Sequence, residues 1–204
     1  MAITALILDA GGVLVRQGPM HARAAWETAH GQPPGFLTEA LEHAIGAGWY
    51  GNRSEEAIRG ALISLAGISP AELPGLLDVL GAHESLDQEM IRFLMPLRSR
   101  YRTAILANAG PGRRAELTRL GAVELVDLVI VSAEEGIRKP EPEIYARAAK
   151  RLDVAPRECL FVDDKPANVA GARKAGMRSV LFTGTDDLKE SFQRLTHKVA
   201  SVKS

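Results

Sequence analysis

The sequence predicts an α/β fold, a doubly wound parallel sheet with a small helical second domain. Three observations lead to this prediction. Five short apolar runs lack polar alternation, which is typical of central strands buried on both faces. Helix-like stretches separate the later runs, as the connections of a parallel sheet require. One long interval, from residue 16 to about residue 88, carries helical patterns and no convincing strand.

Predicted strands and helices alternate along most of the chain. The strands are residues 3–8, 103–106, 128–131, 159–162 and 179–182. The helices between the later strands are residues 112–120, 142–152 and 167–175, and Gly121 and Gly176 stand where helix ends are expected. The polar tail from Lys189 is interpreted as a final helix. Residues 1–15 and 89–204 are therefore assigned to one α/β core domain.

The interval 16–88 is interpreted as a helical insertion after the first strand, which forms a small second domain. Helical patterns cover residues 22–30, 37–47, 54–66 and 70–80. Ser54, followed by Glu55 and Glu56, has the pattern of an N-cap with acidic residues in the first turn.

Composition and charge argue against several classes of function. Lys plus Arg and Asp plus Glu both number 25, so the net charge is zero and attraction to nucleic acid or to an anionic membrane is not expected. The single cysteine, Cys159, lies in an apolar run and is expected to be a small core residue. The apolar N-terminal stretch is short and ends at Asp9, so we expect neither a signal peptide nor a membrane span, and a cytoplasmic location.

Polar residues follow the predicted strands at the edge where parallel sheets bind ligands. Asp9, Gly11 and Gly12 follow the strand that begins at residue 3, and Asn108 and Ala109 follow the strand that begins at residue 103. Lys139 comes after the strand that begins at residue 128, and Asp163 and Asp164 follow the strand that begins at residue 159. Clustered carboxylates favour a hard cation such as Mg²⁺. A lysine neutralises phosphate charge, and an aspartate can attack phosphorus to form an acyl phosphate. This edge therefore predicts phosphoryl chemistry.

Four segments carry a resemblance to a known family. They read Leu-Asp-Ala-Gly-Gly-Val-Leu at 8–14, Leu-Ala-Asn-Ala at 106–109, Gly-Ile-Arg-Lys-Pro-Glu-Pro-Glu-Ile-Tyr at 136–145, and Phe-Val-Asp-Asp-Lys-Pro-Ala-Asn-Val-Ala-Gly-Ala-Arg-Lys-Ala-Gly-Met at 161–177. Together, and in this order, they resemble the haloacid dehalogenase superfamily, in its C1-capped phosphatase-like branch. The resemblance implies a Rossmann-like core, and it implies that the insertion at 16–88 is the helical cap domain of the family.

The resemblance also implies roles for individual residues. Asp9 is expected to be the nucleophile and a Mg²⁺ ligand, and Lys139 to clamp the phosphate. Asp164 is expected to be the main acidic metal ligand and Asp163 a second or water-mediated one. The backbone carbonyl of Gly11 is expected to complete the metal site, since relatives use this position in that way.

Two positions depart from the commonest form of the family. Most of its phosphatases carry an aspartate, acting as general acid and base, where this chain has Gly11; such help is worth about 10²–10⁴-fold in rate. The residue at position 107 is Ala rather than Ser or Thr, which leaves Asn108 and nearby backbone N–H groups as the expected phosphate contacts. The other expected substrate-binding residues are Gly11, Gly12, Ala109 and Lys139. Lys165 and His21 are candidate replacement proton carriers.

Substrate contacts from the cap are harder to assign. Its aromatic residues, Trp26, Phe36, Trp49 and Tyr50, are expected mainly in the cap core, with Trp49 and Tyr50 as the best candidates for a substrate contact. The arginine clusters at 98–102 and 113–114 are interpreted as solvated faces.

Three functions are compatible with these features. The leading hypothesis is a hydrolase, a Mg²⁺-dependent phosphatase acting on a small phosphorylated metabolite through an aspartyl-phosphate on Asp9. The second is a 2-haloacid dehalogenase, which uses the same aspartate on carbon, although such relatives usually lose the acids at 163 and 164. The third is a catalytically weak relative that binds a phosphorylated ligand or partner, with Gly11 and Ala107 as signs of decay.

Overall fold

The computed structural model describes residues 2–16, 21–46, 53–81 and 84–197. Its main sheet has five strands: β1 Ala5–Leu8, β4 Arg102–Ala107, β5 Leu128–Val131, β6 Cys159–Asp163 and β7 Arg178–Leu181. Their order is β5-β4-β1-β6-β7, and every neighbouring pair is parallel. The predicted fold class is confirmed, and each predicted strand lies within two residues of the observed one.

Ten helices accompany the strands in the described residues. They are α1 His21–Ala29, α2 Phe36–Ile45, α3 Glu55–Ala66, α4 Leu73–Gly81, α5 Gln88–Leu94, α6 Arg113–Arg119, α7 Ser132–Glu135, α8 Pro142–Arg151, α9 Pro166–Lys174 and α10 Thr185–His197. The short helices α5 and α7 were not predicted. Among these helices, none combines the length and apolar character needed to cross a membrane.

The sheet is buried on both faces because its side chains alternate between two apolar clusters. On one face Ile7, Leu106 and Phe161 pack against α8 and α9. On the other face Leu8 and Val162 pack against residues of α5, α6 and α10. Continuous apolar runs in the sequence reflect this double coverage, and Cys159 is buried among them as expected.

Helices α1 to α4 have an apolar cluster of their own. Leu37, Leu62 and Leu76 are at its centre, and Trp26 and Phe36 pack against it as partly buried side chains. Ser54 caps α3 by accepting a hydrogen bond from the backbone N–H of Ala57, as its sequence pattern predicted. The boundary of this region at residues 16–88 stays a proposal.

The expectation that the interval 16–88 holds no strand was wrong. Strand β2, Val15–Arg16, pairs antiparallel with β3, Ser85–Leu86. Two-residue strands are too short to give a periodic signal, so the sequence pattern could not indicate them. Their pairing brings the two chain segments that flank the helices side by side.

Candidate active site

Asp9 follows β1 directly and is fixed at the carboxyl edge of the sheet. Its backbone N–H donates to the carbonyl of Val162 at 2.8 Å. Its Oδ1 atom accepts from the backbone N–H of Ala10 and from Nζ of Lys139, both at 2.7 Å. Both of these hydrogen bonds to the Asp9 carboxylate reach the same oxygen, Oδ1.

Lys139 is the central cation of the site. Its side chain is 1% exposed, and Nζ bridges Oδ1 of Asp9 at 2.7 Å and Oδ2 of Asp163 at 2.8 Å. The ammonium also lies over the ring of Phe161, 5.6 Å from the ring centre. The negative face of the ring attracts this positive charge. Removing one member of such a buried ion group leaves the others unpaired, at a cost of about 3–5 kcal/mol. Lys139 is thus placed where it meets both the nucleophile candidate and a second acid.

The pKa of the Asp9 carboxyl is raised. Burial is the main cause because it disfavours the charged form, and the negative charge of Asp163 acts in the same direction. The positive charge and hydrogen bond of Lys139 act against this rise. Lys139 therefore favours the ionised form of the nucleophile candidate.

Asp163 is completely buried and its carboxylate is satisfied by the protein. Oδ1 accepts from the backbone N–H of Lys165 at 2.8 Å, and Nδ2 of Asn168 lies 3.0 Å from both carboxylate oxygens. Oδ2 also accepts from Lys139. Because these donors occupy both oxygens, the arrangement suits an acid that orients Lys139 more than one that binds a metal directly.

Asn168 was missed by sequence reasoning. It lies in the first turn of α9, and its backbone carbonyl accepts a hydrogen bond from the hydroxyl of Tyr145 at 2.8 Å. Tyr145 is fully buried and packs edge-on against Phe161. The spacing of five residues after Asp163, across the start of a helix, was the only signal that pointed to Asn168.

Asp164 differs from Asp163 because its side chain is exposed to solvent. It lies against Gly12: a Cβ built on Gly12 would be 2.4 Å from Oδ2 of Asp164, and φ of Gly12 is +80°. The pKa of Asp164 is raised by burial of part of the carboxyl and by the charge of Asp163. Ligand oxygens of Asp9, Asp163 and Asp164 all lie within 4.8 Å of one another. The structure thus brings the three predicted acids together.

Asn108 holds Lys139 through the backbone rather than pointing a free amide at a ligand. Its Nδ2 donates to the carbonyl of Lys139 at 2.8 Å, and its Oδ1 accepts from the N–H of Lys139 at 2.9 Å. This pair of bonds joins the end of β4 to the Lys139 loop. The predicted phosphate contact of Asn108 stays a prediction, and its observed partner is the lysine.

The neighbours of Asn108 are also held by protein groups. The N–H of Ala109 donates to Oγ of Ser132 at 3.0 Å, a contact that the sequence did not indicate. Ala107 is 3% exposed and belongs to an apolar cluster of the sheet. The loop after β4 is therefore hydrogen-bonded both to Ser132 of α7 and to the Lys139 backbone.

Gly11 occupies an open position. A Cβ built there meets nothing within 4 Å, and the residue does not have the positive φ that Gly12 has. A side chain at position 11 is thus compatible with both the space and the backbone. Crowding does not explain why this chain has glycine at this position.

The cap contacts the loop after β4 through aliphatic side chains. A Cβ built on Gly110 would lie 3.5 Å from Ile58 and 3.7 Å from Ile45, which belong to α3 and α2. The candidate contacts Trp49 and Tyr50 lie outside the described residues, and the side chain of His21 is likewise outside them. Substrate contacts by these three residues stay predictions.

A second contact between the cap side and the core is ionic. Arg113, at the start of α6, pairs with Glu84 at 2.6 Å, and its side chain is only 12% exposed. The interpretation of Arg113 as part of a solvated face was therefore wrong, because Glu84 comes from a distant segment that the sequence pattern did not connect with it. Arg114 is 42% exposed and pairs with Glu134.

Comparisons with known proteins agree with this geometry. The model of the haloacid dehalogenase-like hydrolase family matches residues 3–176. The chain is 29% identical over 199 residues to validoxylamine A 7'-phosphate phosphatase from Streptomyces hygroscopicus subsp. limoneus, covering 89% of this chain and 86% of that protein. It is 35% identical over 151 residues to a phosphoserine phosphatase of Thermus thermophilus, covering 71% of this chain and 59% of that protein.

Solved structures share the fold. A HAD family enzyme of Bacteroides thetaiotaomicron superposes with a TM-score of 0.76 at 19% identity, over 94% of this chain and 99% of that one. The L-2-haloacid dehalogenase of Xanthobacter autotrophicus does so with a TM-score of 0.67 at 21% identity, over 99% of this chain and 84% of that one. With the family model covering most of the chain and the acids of its motifs gathered around Lys139, the protein belongs to the haloacid dehalogenase-like hydrolase family and is a hydrolase.

Proposed function

We propose that the protein is a Mg²⁺-dependent phosphatase that acts on a small phosphorylated metabolite through an aspartyl-phosphate on Asp9. The observation that carries the proposal is the bridge of Lys139 between Asp9 and Asp163, beside the exposed carboxylate of Asp164. One ammonium and three carboxylates form a site that matches a cation together with a phosphate group. The names of the relatives from Streptomyces and Thermus, both phosphatases, support the same reaction class.

The donor set fits Mg²⁺. All three side chains offer carboxylate oxygens, which Mg²⁺ prefers, and one or two of them suffice when phosphate and water complete its coordination. We assign Asp9, Asp164 and the Gly11 carbonyl as ligands, with Asp163 acting through water because its oxygens accept protein hydrogen bonds. When bound, the cation would neutralise charge on the phosphate oxygens and the carboxylates.

The residues of the chain supply the rest of the chemistry. Oδ2 of Asp9 attacks phosphorus while Oδ1 is held by Lys139 and the N–H of Ala10, so the carboxylate cannot rotate freely. Lys139 stabilises negative charge on the transferring group, and Asn108 and Asp163 fix the position of Lys139. Water then attacks the phosphoryl group of the intermediate and regenerates Asp9.

The proposal is tested by hydrolysis of p-nitrophenyl phosphate with Mg²⁺ and with EDTA. Turnover is expected with Mg²⁺ only and is expected to vanish in Asp9→Asn. Asp186→Asn is the matched control, since Asp186 is an acid of α10 whose side chain is 92% exposed and pairs with Lys189. Folded protein that shows no metal-dependent turnover above the Asp9→Asn blank would contradict the proposal.

The two alternatives give different results in the same preparation. Halide release from 2-chloropropionate without Mg²⁺ would favour a dehalogenase, a family whose fold this chain shares. Tight binding of inorganic phosphate with no turnover of any substrate would favour the binding function. The exposed, metal-suited Asp164 supports the phosphatase over the dehalogenase.

A further inference from the structure

Breaking a phosphate ester places negative charge on the leaving oxygen. An alkoxide is a poor leaving group unless a positioned acid protonates it, and general acid help is worth about 10²–10⁴-fold. An acyl, aryl or phosphate leaving group departs as a stable anion and needs no proton. The supply of protons near Asp9 therefore bears directly on which phosphates the site can cleave.

The polar side chains around Asp9 in the described part of the chain are already committed. Lys139 donates to Asp9 and Asp163, and Asp163 accepts from Asn168, Lys139 and the N–H of Lys165. Asp164 lies against Gly12 within the carboxylate cluster assigned to the cation. None of these groups is free to face a leaving oxygen as an acid.

Two nearby positions within the described residues carry no proton donor. Gly11, two residues after Asp9, opens into space: a Cβ there meets nothing within 4 Å. The side-chain atoms nearest to a Cβ built on Gly110, on the loop after β4, belong to Ile45 and Ile58 of the cap, which are aliphatic. At these two positions the site therefore offers room for a leaving group and no acid to protonate it.

We infer that the substrate is a phosphate on a stabilised leaving group, of the acyl phosphate, phosphoanhydride or aryl or enol phosphate type, rather than a simple alkyl phosphate. This inference rests on the proposed function. In the first step the Asp9 Oδ2–P bond forms, the bond from phosphorus to the leaving oxygen breaks, and its electron pair leaves with that oxygen as an anion. In the second step water attacks phosphorus, inorganic phosphate leaves, the Asp9 carboxylate is restored, and the proton released passes to solvent.

The test compares kcat/KM for acetyl phosphate, p-nitrophenyl phosphate, phenyl phosphate and an alkyl phosphate such as glycerol 3-phosphate. Because kcat/KM reports the first irreversible step, slow hydrolysis of the intermediate does not hide the effect of the leaving group. We expect kcat/KM of the native protein to fall by at least about 10²-fold from p-nitrophenyl to alkyl phosphate, the size of the missing acid's contribution.

Three variants distinguish a missing acid from a changed shape. Gly11→Asp places a carboxyl in the open space and is expected to raise the ratio of alkyl to p-nitrophenyl kcat/KM by about 10²-fold or more. Gly11→Asn has the same shape without an acid and is expected to leave that ratio unchanged. Lys165→Gln is also expected to leave the ratio unchanged, because the inference holds that Lys165 does not act as the acid.

The outcomes separate this inference from the function on which it rests. A flat dependence on the leaving group, with turnover that still requires Asp9, would refute the inference alone and show that another acid acts. If kcat/KM depends steeply on the leaving group and Lys165→Gln makes the dependence steeper, the inference is refuted and Lys165 is identified as the acid. Absence of Asp9-dependent turnover of every phosphate in folded protein would refute the proposed function and this inference together.

Discussion

Gly171 in α9 is a close-contact position behind the active site. A Cβ built there would lie 2.4 Å from the carbonyl oxygen and 2.8 Å from Cβ of Pro140, the residue after Lys139. Ordinary contact begins near 3.4 Å, so Gly171→Ala requires the Pro140 segment or α9 to move by about 1 Å. Lys139 shares that segment, and its bonds of 2.7 and 2.8 Å to Asp9 and Asp163 would not survive such a shift unchanged.

The expected effect has two parts. Overpacking costs about 1–3 kcal/mol, and removing a helical glycine returns up to about 1 kcal/mol, so we expect a net loss of about 1–2 kcal/mol in the free energy of unfolding. Misplacing a catalytic group by about 1 Å costs about 10²-fold in kcat/KM. Urea unfolding and p-nitrophenyl phosphate hydrolysis measure the two effects separately.

Gly60 in α3 is the matched control because a Cβ there meets nothing within 4 Å. Gly60→Ala is expected to stabilise the protein by about 0.5–1 kcal/mol and to leave turnover unchanged. If Gly171→Ala were as stable as the native protein, with kcat/KM within about threefold, the position of Lys139 would not depend on the Gly171–Pro140 contact and the reasoning would fail.

Three further predictions concern other contacts. Asn108→Ala removes both hydrogen bonds to the Lys139 backbone and should lower kcat/KM by about 10–100-fold. Asn108→Asp keeps the acceptor, so its kcat/KM should lie between those of the native protein and Asn108→Ala. Gly12→Ala should cost about 1–2 kcal/mol at its positive φ and, by displacing Asp164, raise the Mg²⁺ concentration needed for half-maximal turnover; an unchanged Mg²⁺ titration would contradict this. Asp87 has a lowered pKa, because hydrogen bonds from Arg16 and from the start of α5 outweigh desolvation. Its stabilisation is present above the ordinary value of 3.8 and is lost as pH falls through the lower folded value. Asp87→Ala should therefore destabilise by about 1–2 kcal/mol at neutral pH, in urea unfolding, and by less in acid.

The strands and the position of the site were predictable for a simple physical reason. Strands covered on both faces must be apolar throughout, so residues 128–131 could be identified from composition alone and agree with β5. Gly121 and Gly176 were expected at helix ends and have φ of +77° and +85°. Because the carboxyl ends of parallel strands share one edge, Asp9 and Lys139 were expected to meet although 130 residues separate them.

The finer contacts of the site were not predictable in the same way. Asn108 was placed at the correct strand end, but the partner of its amide depends on the path of the Lys139 loop, which no local pattern encodes. Ser132 contacts Ala109 across 23 residues and carries no periodic signal. Asp163 and Asp164 are adjacent in sequence, and only the family resemblance gave them different roles. In the structure Asp163 ends a buried strand and Asp164 begins an exposed turn. Burial, which separates their roles, follows from tertiary packing.

The balance of charge connects these observations to the proposed function. Three carboxylates surround one ammonium, and Asp163 already shares that ammonium with Asp9. Burial and the charge of Asp163 raise the pKa of Asp9, although a nucleophilic carboxylate must be ionised to attack phosphorus. Under the proposed function, a divalent cation beside Asp9 and Asp164 would add to the effect of Lys139 and favour the ionised form. The excess of acid over base is thus the physical reason to expect that one ligand of this site is a cation, and that its removal weakens the nucleophile as well as phosphate binding.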